Sequence, residues 1–173
     1  MNIRTAKILT IFLMFIGLTK SINADELKPS DSHQFNFFSG VFDINTSSKK
    51  SSELFGIQHS NENLFRDTSI GKLSPITGMM VTADSASYFY TGVQAEYKIG
   101  KLNLIPSFSP GLYSMGDGKD LGSPLEFKSE VQLSLDLLPG TKLGYSQSHI
   151  SNGDFGDTNP GADSYMFNFM KSF

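Results

Sequence analysis

From Leu125 to Leu137 the chain alternates with period two over thirteen residues. The odd positions are Leu125, Phe127, Ser129, Val131, Leu133, Leu135 and Leu137; the even ones are Glu126, Lys128, Glu130, Gln132, Ser134 and Asp136. Successive side chains of a β-strand point to opposite faces, so this stretch reads as one strand with an apolar face and a polar face. At about 3.3 Å per residue such a strand is about 40 Å long, unusual for a small soluble domain. Any fold proposed for the chain has to accommodate it.

The same pattern recurs. Phe89, Val93, Ala95, Tyr97 and Ile99 oppose Gln94, Glu96 and Lys98, and Leu102, Leu104, Pro106, Phe108 and Leu112 oppose Asn103, Ser107 and Ser109. Near the end, Tyr165, Phe167, Phe169 and Phe173 alternate with residues that include Asn168 and Ser172. Eight strands are expected, at about 34–44, 52–59, 72–82, 86–99, 102–112, 125–137, 141–151 and 163–173. The adjacent pair Phe37-Phe38 suggests a bulge in the first. Gly100-Lys101 and Pro139-Gly140 read as tight turns, whereas residues 113–124 and 152–162 are long and polar. Short turns on one side and long loops on the other describe an eight-stranded antiparallel transmembrane β-barrel of the bacterial outer membrane. The terminal Phe173 after alternating aromatics resembles the C-terminal signature of such barrels. A soluble lipid-carrying barrel shows the same alternation with its apolar face inside, and alternation alone does not separate the two.

Ile8–Leu18 is an apolar run preceded by Arg4 and Lys7 and followed by Ser21-Ile22-Asn23-Ala24. This is the pattern of a cleaved secretory signal peptide over 1–24. As a transmembrane anchor the run is short, since a helix needs about 20 residues to span. Residues 25–33 are polar and read as a lead-in, which leaves 34–173 for the barrel.

Composition narrows the chemistry. At 173 residues the chain is too short for a typical (β/α)₈ barrel or a two-domain dehydrogenase. It has no Cys, which removes disulfides, thiolate metal sites and a Cys nucleophile. A net charge of −3 argues against nucleic acid as a partner. With 15 Phe, 6 Tyr and only 18 % charged residues it is not a disordered chain. Its mean hydropathy of −0.16 is what results when a lipid-facing apolar face and a polar interior are averaged.

Of three His, His33 lies in the lead-in and His59 at the end of a weak strand. His149 is followed by Ile150-Ser151-Asn152, then by Asn159-Pro160-Gly161-Ala162-Asp163. His149 and Ser151 are two apart in a strand, so they share a face about 6.5–7 Å apart. Asp163 opens the next strand and can lie beside His149. A nucleophile, a base and an orienting acid thus converge from one hairpin. Asn152 and Asn159 are nearby amides able to stabilise an oxyanion. All three polar groups share parity with Leu143, Tyr145, Tyr165 and Phe167, the face a membrane barrel turns to lipid. Ionisable groups there are costly, which favours a function acting on an outer-leaflet lipid. His-x-Ser is also common by chance, and Asn-Pro-Gly is an ordinary turn signal. The oxygen-bearing residues Asn152, Asp154, Asp157 and Asp163 do not follow the EF-hand order, because Gly156 falls on a ligand position.

His149-Ile150-Ser151-Asn152, the Asn-Pro-Gly at 159–161 and the carboxylate at 163 resemble the lipid A 3-O-deacylase family, eight-stranded outer-membrane barrels with a His-x-Ser-Asn motif and a His-Ser-Glu triad. Gly111-Leu112-Tyr113 through Gly122-Ser123-Pro124-Leu125-Glu126-Phe127 is similar to the family's pattern around its third outer loop. These motifs cover residues 108–173; the earlier half matches in strand pattern only. The resemblance implies an esterase with Ser151 as nucleophile, His149 as base and Asp163 as acid. Asn159, with Asn152 or local backbone amides, then supports the oxyanion. It implies lipid A or lipopolysaccharide as substrate, outer-membrane lipids as surroundings, and no metal or cofactor. Asp163 stands where the family commonly has Glu, so its backbone must come closer to His149. A non-enzymatic barrel, structural or adhesin-like, fits the strand pattern equally.

Overall fold

The computed structural model describes residues 33–44, 51–61, 64, 66–68 and 71–173. The expected signal peptide at 1–24 and residues 25–32 of the lead-in lie outside them. The strands are β1 (His33–Phe42), β2 (Ser52–Asn61), β3 (Arg66–Thr68), β4 (Gly71–Thr82), β5 (Ser87–Ile99), β6 (Leu102–Ser114), β7 (Leu125–Leu138), β8 (Thr141–Ser151) and β9 (Ala162–Ser172). All pairings are antiparallel between neighbours in sequence, β1 also pairs with β9, and β2 pairs with β4. The sheet therefore closes into an eight-stranded barrel. The ninth strand, β3, is a three-residue piece that pairs with the start of β4 and takes no part in closure.

The eight expected strands are all present, with local differences. His33, assigned to the lead-in, opens β1, where its amide and carbonyl bond to those of Phe173 at 3.2 and 3.0 Å. Its Nδ1 also meets His59 Nε2 at 2.9 Å. The expected bulge at Phe37-Phe38 does not occur. Both registers of β1 run without a shift, and Phe38 simply points inward while Phe37 points outward. The irregularity lies instead between Asp136 and Leu138, where β7 enters its turn to β8. At the end that carries the long loops, β4 and β5 are joined by a short turn in which Thr82 N donates to Ala86 O.

The structure settles which face is inside. On β7, Glu126, Lys128, Gln132 and Ser134 are buried, while Val131, Leu133, Leu135 and Leu137 are exposed. The alternation is thus inverted relative to a soluble barrel, and the lipid-carrier reading is overturned. Buried polar groups need partners, and the interior supplies several of them, though none for the Glu126 carboxylate oxygens among the described residues. Asn36 Nδ2 donates to Asn168 Oδ1, and Asn168 Nδ2 donates to Ser146 Oγ. Lys128 Nζ bonds Glu130 at 2.8 Å and lies 3.9 Å from the centre of the Tyr90 ring, so its charge meets both a carboxylate and a π-face. Towards the long-loop end the interior becomes apolar: Phe42, Leu54, Met80, Tyr113, Leu121, Ile150 and Met166 form a plug. The plug fixes the strand ends from which the loops depart.

An apolar outer face immersed in hydrocarbon tolerates charge poorly. Leu133→Arg is expected to destabilise the barrel by about 2–4 kcal/mol. Urea unfolding in phospholipid vesicles measures this.

Candidate active site

The register places the outward side chains of β6 to β9 in cross-strand rows. Nearest the long loops stand Pro110, Phe127 and Ser151. The next row holds Phe108, Ser129, His149 and Asp163, and the one below it Pro106, Val131, Gln147 and Tyr165. Two further rows are aliphatic and aromatic: Leu104, Leu133, Tyr145 and Phe167, then Leu102, Leu135, Leu143 and Phe169. Polar side chains on this face thus gather in the three rows nearest the loops and, as Thr141 and Lys171, in the row at the opposite end.

His149 and Asp163 are direct partners across β8 and β9, and His149 Nδ1 lies 2.8 Å from Asp163 Oδ1. Cross-strand pairing brings the two backbones about as close as a sheet allows, so the shorter acid still reaches the ring. The contact fixes which imidazole nitrogen remains for other work. With Nδ1 held, Nε2 is the nitrogen that can accept a proton. His149 is half exposed at 53 %, and Asp163 is 28 % exposed.

Ser151 is one row above His149 on the same strand and the same face. Among the described residues its hydroxyl makes no hydrogen bond, to His149 or to any other group. The structure therefore assembles the base and its acid, with the hydroxyl two residues away. Catalytic hydrogen bonds are often long before substrate arrives. Ser151 faces Phe127, which stacks on Phe108 at 6.0 Å and meets Phe155 of the 152–161 loop at 5.6 Å.

Asn152 and Asn159 do different work from His149. Asn152 is fully buried, and its Nδ2 donates to Leu121 O and Thr158 O, both at 2.8 Å. Its Oδ1 accepts from Asp154 N. Asn159 Oδ1 accepts from the Asn152 amide at 3.1 Å, and its Nδ2 donates to Asp154 Oδ1. Both side chains are spent on shaping the loop after Ser151. Through Leu121, Asn152 also binds that loop to the 115–124 loop.

Gly161 lies against His149 in a way the sequence does not disclose. Its φ is +60°, a conformation that costs any residue with a Cβ. A Cβ there would also sit 2.9 Å from His149 Cε1 and 3.2 Å from Nε2. The Asn-Pro-Gly turn thus brings bare backbone against the working edge of the imidazole. Gln147 and Ser129, outward and beside His149, were also not singled out by motif; only the register reveals them. Among the described residues no group of three or more His, Asp or Glu side chains is arranged to hold a metal ion.

Comparison with solved structures supports the architecture. The crystal structure of the outer membrane enzyme PagL matches with a TM-score of 0.60 at 17 % identity, covering 80 % of this chain and 98 % of that one. A de novo designed transmembrane β-barrel matches with a TM-score of 0.54 at 9 % identity, covering 83 % and 96 %. At such identities the likeness is one of fold. No curated protein sequence matches the chain. The family model described as lipid A 3-O-deacylase (PagL) matches residues 41–172, which extends the likeness well before the motifs at 108–173. The chain belongs to the lipid A 3-O-deacylase (PagL) family, ester hydrolases built on an outer-membrane β-barrel.

Proposed function

We propose that the protein removes the ester-linked 3-hydroxyacyl chain at the 3-position of lipid A, using Ser151, His149 and Asp163 as a triad at the outer leaflet of the outer membrane. The observation that carries this reading is the 2.8 Å contact of His149 with Asp163 on the lipid-facing wall, one row from Ser151. A lipid reaches this wall from the side, without entering the barrel.

The chemistry follows from the residue types. Ser151 Oγ attacks the ester carbonyl as His149 Nε2 takes its proton, and Asp163 stabilises the imidazolium that forms. Collapse of the tetrahedral intermediate breaks the bond to the sugar oxygen, which receives the proton back from His149. Water, deprotonated by the same ring, then releases the fatty acid from the acyl-enzyme and restores the serine. The imidazole is half exposed, so it has room to turn towards Ser151 when substrate arrives. Asn152 and Asn159 support the site by holding the loop that follows the nucleophile. With both amides engaged there, the oxyanion falls to backbone amides of that segment. Phe127, Phe108 and Phe155 flank the nucleophile on the side where an acyl chain would lie.

Mass spectrometry of lipid A after incubation of the reconstituted protein with lipopolysaccharide tests the reading. Wild type is expected to release one 3-hydroxy fatty acid and Ser151→Ala none. No release by wild type, or equal release by the variant, overturns it. Asp163→Asn leaves the contact sterically intact and removes the charge, and acyl release is expected to fall by about a thousandfold or more. Gly161→Ala pushes on the imidazole edge. Misplacing a catalytic group by about 1 Å can cost on the order of 10²-fold. A loss of tenfold or more is expected on that scale, while heat-modifiable migration on gels shows the barrel still folded.

A further inference from the structure

Two of the three His have no part in the deacylase chemistry, and they meet each other. His33 opens β1 and His59 lies near the end of β2, so both stand at the short-turn end of the barrel. Pairing of His33 with Asn61 and of Phe35 with His59 makes them diagonal neighbours on the outer face. His33 Nδ1 is 2.9 Å from His59 Nε2. The ring centroids are 5.1 Å apart and the planes differ by 23°, so the rings meet edge to edge, nitrogen to nitrogen. We infer that His33 and His59 form a two-histidine site for a divalent ion of the copper or nickel type, which ties the start of β1 to the end of β2. Nothing in this site depends on the chemistry at His149.

Imidazole nitrogen is a favoured ligand of such ions. Bonds from metal to imidazole nitrogen are about 2.0–2.1 Å long, so two ligands at a right angle on one ion stand about 2.9 Å apart. That is the separation of the two nitrogens. A tetrahedral zinc ion needs them about 3.3 Å apart, so a square-planar or octahedral ion fits better. In the hydrogen-bonded pair one ring donates and the other accepts, with one proton between them. For an ion to bind, that proton moves through solvent to the far nitrogen of its own ring, and both facing lone pairs go to the metal. The ion lies to one side of the line between the nitrogens. Both rings turn to aim at it, and the contact is exposed, so they have room. Among the described residues no third His, Asp or Glu joins the pair, so water fills the remaining positions. The outward row through His59 runs Thr141, Lys171, Phe35, His59, Thr77 and Thr91, a polar belt at the barrel end where water reaches. Lys171 Nζ is held by Thr141 at 3.1 Å, on the side of Phe35 opposite His59. The two His are 26 residues apart in the chain, and only the register of β1 with β2 brings them together. An ion that needs both therefore favours the folded barrel.

Copper(II) chloride titrated into the untagged full protein in phospholipid–detergent micelles tests the site. One ion per chain is expected to bind, with an electron paramagnetic resonance spectrum that carries coupling to two nitrogens. Loss of an outer partner of a metal ligand already costs about tenfold in affinity, so His33→Gln and His59→Gln are each expected to weaken binding by about tenfold or more. Copper is expected to raise the urea midpoint of wild type and to leave that of His59→Gln where it is. Heat-modifiable migration on gels shows the variant barrels folded, and acyl release by His59→Gln without copper is expected to equal that of wild type. A wild-type affinity no higher than that of His59→Gln, or a spectrum with one nitrogen, overturns the site. So does loss of the bound ion in His149→Gln with no loss in the other two variants.

Discussion

A sheet that faces hydrocarbon has no water to satisfy the peptide groups at its edges, so it must close on itself. In this chain closure is made by β2 with β4, and the first strand is held between β2 and β9. Everything else follows from that ring of backbone hydrogen bonds. Closure fixes the register, the register fixes parity, and parity sends each side chain either to lipid or to the interior. A residue in the wall has no third choice. His149, Ser151 and Asp163 are on the lipid side for the same reason that Leu133 and Phe167 are.

The interior then has to be stabilised without the usual apolar core. At mid-barrel it is a set of hydrogen-bonded polar side chains in which Asn36, Asn168 and Ser146 form a chain and Lys128 is neutralised by Glu130. Each such group is costly to leave unpaired, so the network specifies one arrangement rather than many. Apolar packing is concentrated in the plug at the long-loop end, where Leu121 and Ile150 are fully buried. That placement matters for the site. Ile150 lies between His149 and Ser151, and Leu121 accepts a hydrogen bond from Asn152. The inward side chains alternating with the catalytic candidates are the ones that anchor the loops.

Much of this was legible from residue order. The thirteen-residue alternation locates β7 to within a residue, and parity alone puts the candidate triad on the apolar face. Because one hairpin carries both, His149 and Asp163 are also expected to meet from residue order, as they do. Periodicity is symmetric between inside and outside, so the direction of the polar face emerged only from burial of Glu126 and Lys128. Phe37-Phe38 looked like a bulge because two adjacent apolar residues break the pattern; Phe38 is accommodated inward, with Lys128 Nζ 5.8 Å from its ring centre. Asn152 and Asn159 were readable as amides near the nucleophile, but which donors they had to spare depended on where Leu121, Asp154 and Thr158 came to lie. Gln147 and Ser129 belong to no motif, and only the cross-strand rows make them neighbours of His149.

Polar groups on a lipid-facing wall carry a cost that falls with distance from the membrane centre. The distribution on β6 to β9 respects that gradient: the two middle rows hold no charged or amide side chain, and the polar residues cluster where the long loops begin and, as Thr141 and Lys171, at the opposite end. Within that cluster the polar groups differ in what satisfies them. His149 and Asp163 satisfy each other, and the loop amides satisfy the loop. Ser151, Ser129 and Gln147 lie along one side of this arrangement with no partner among the described side chains. A wall that only had to persist in lipid would gain by replacing all three with apolar residues.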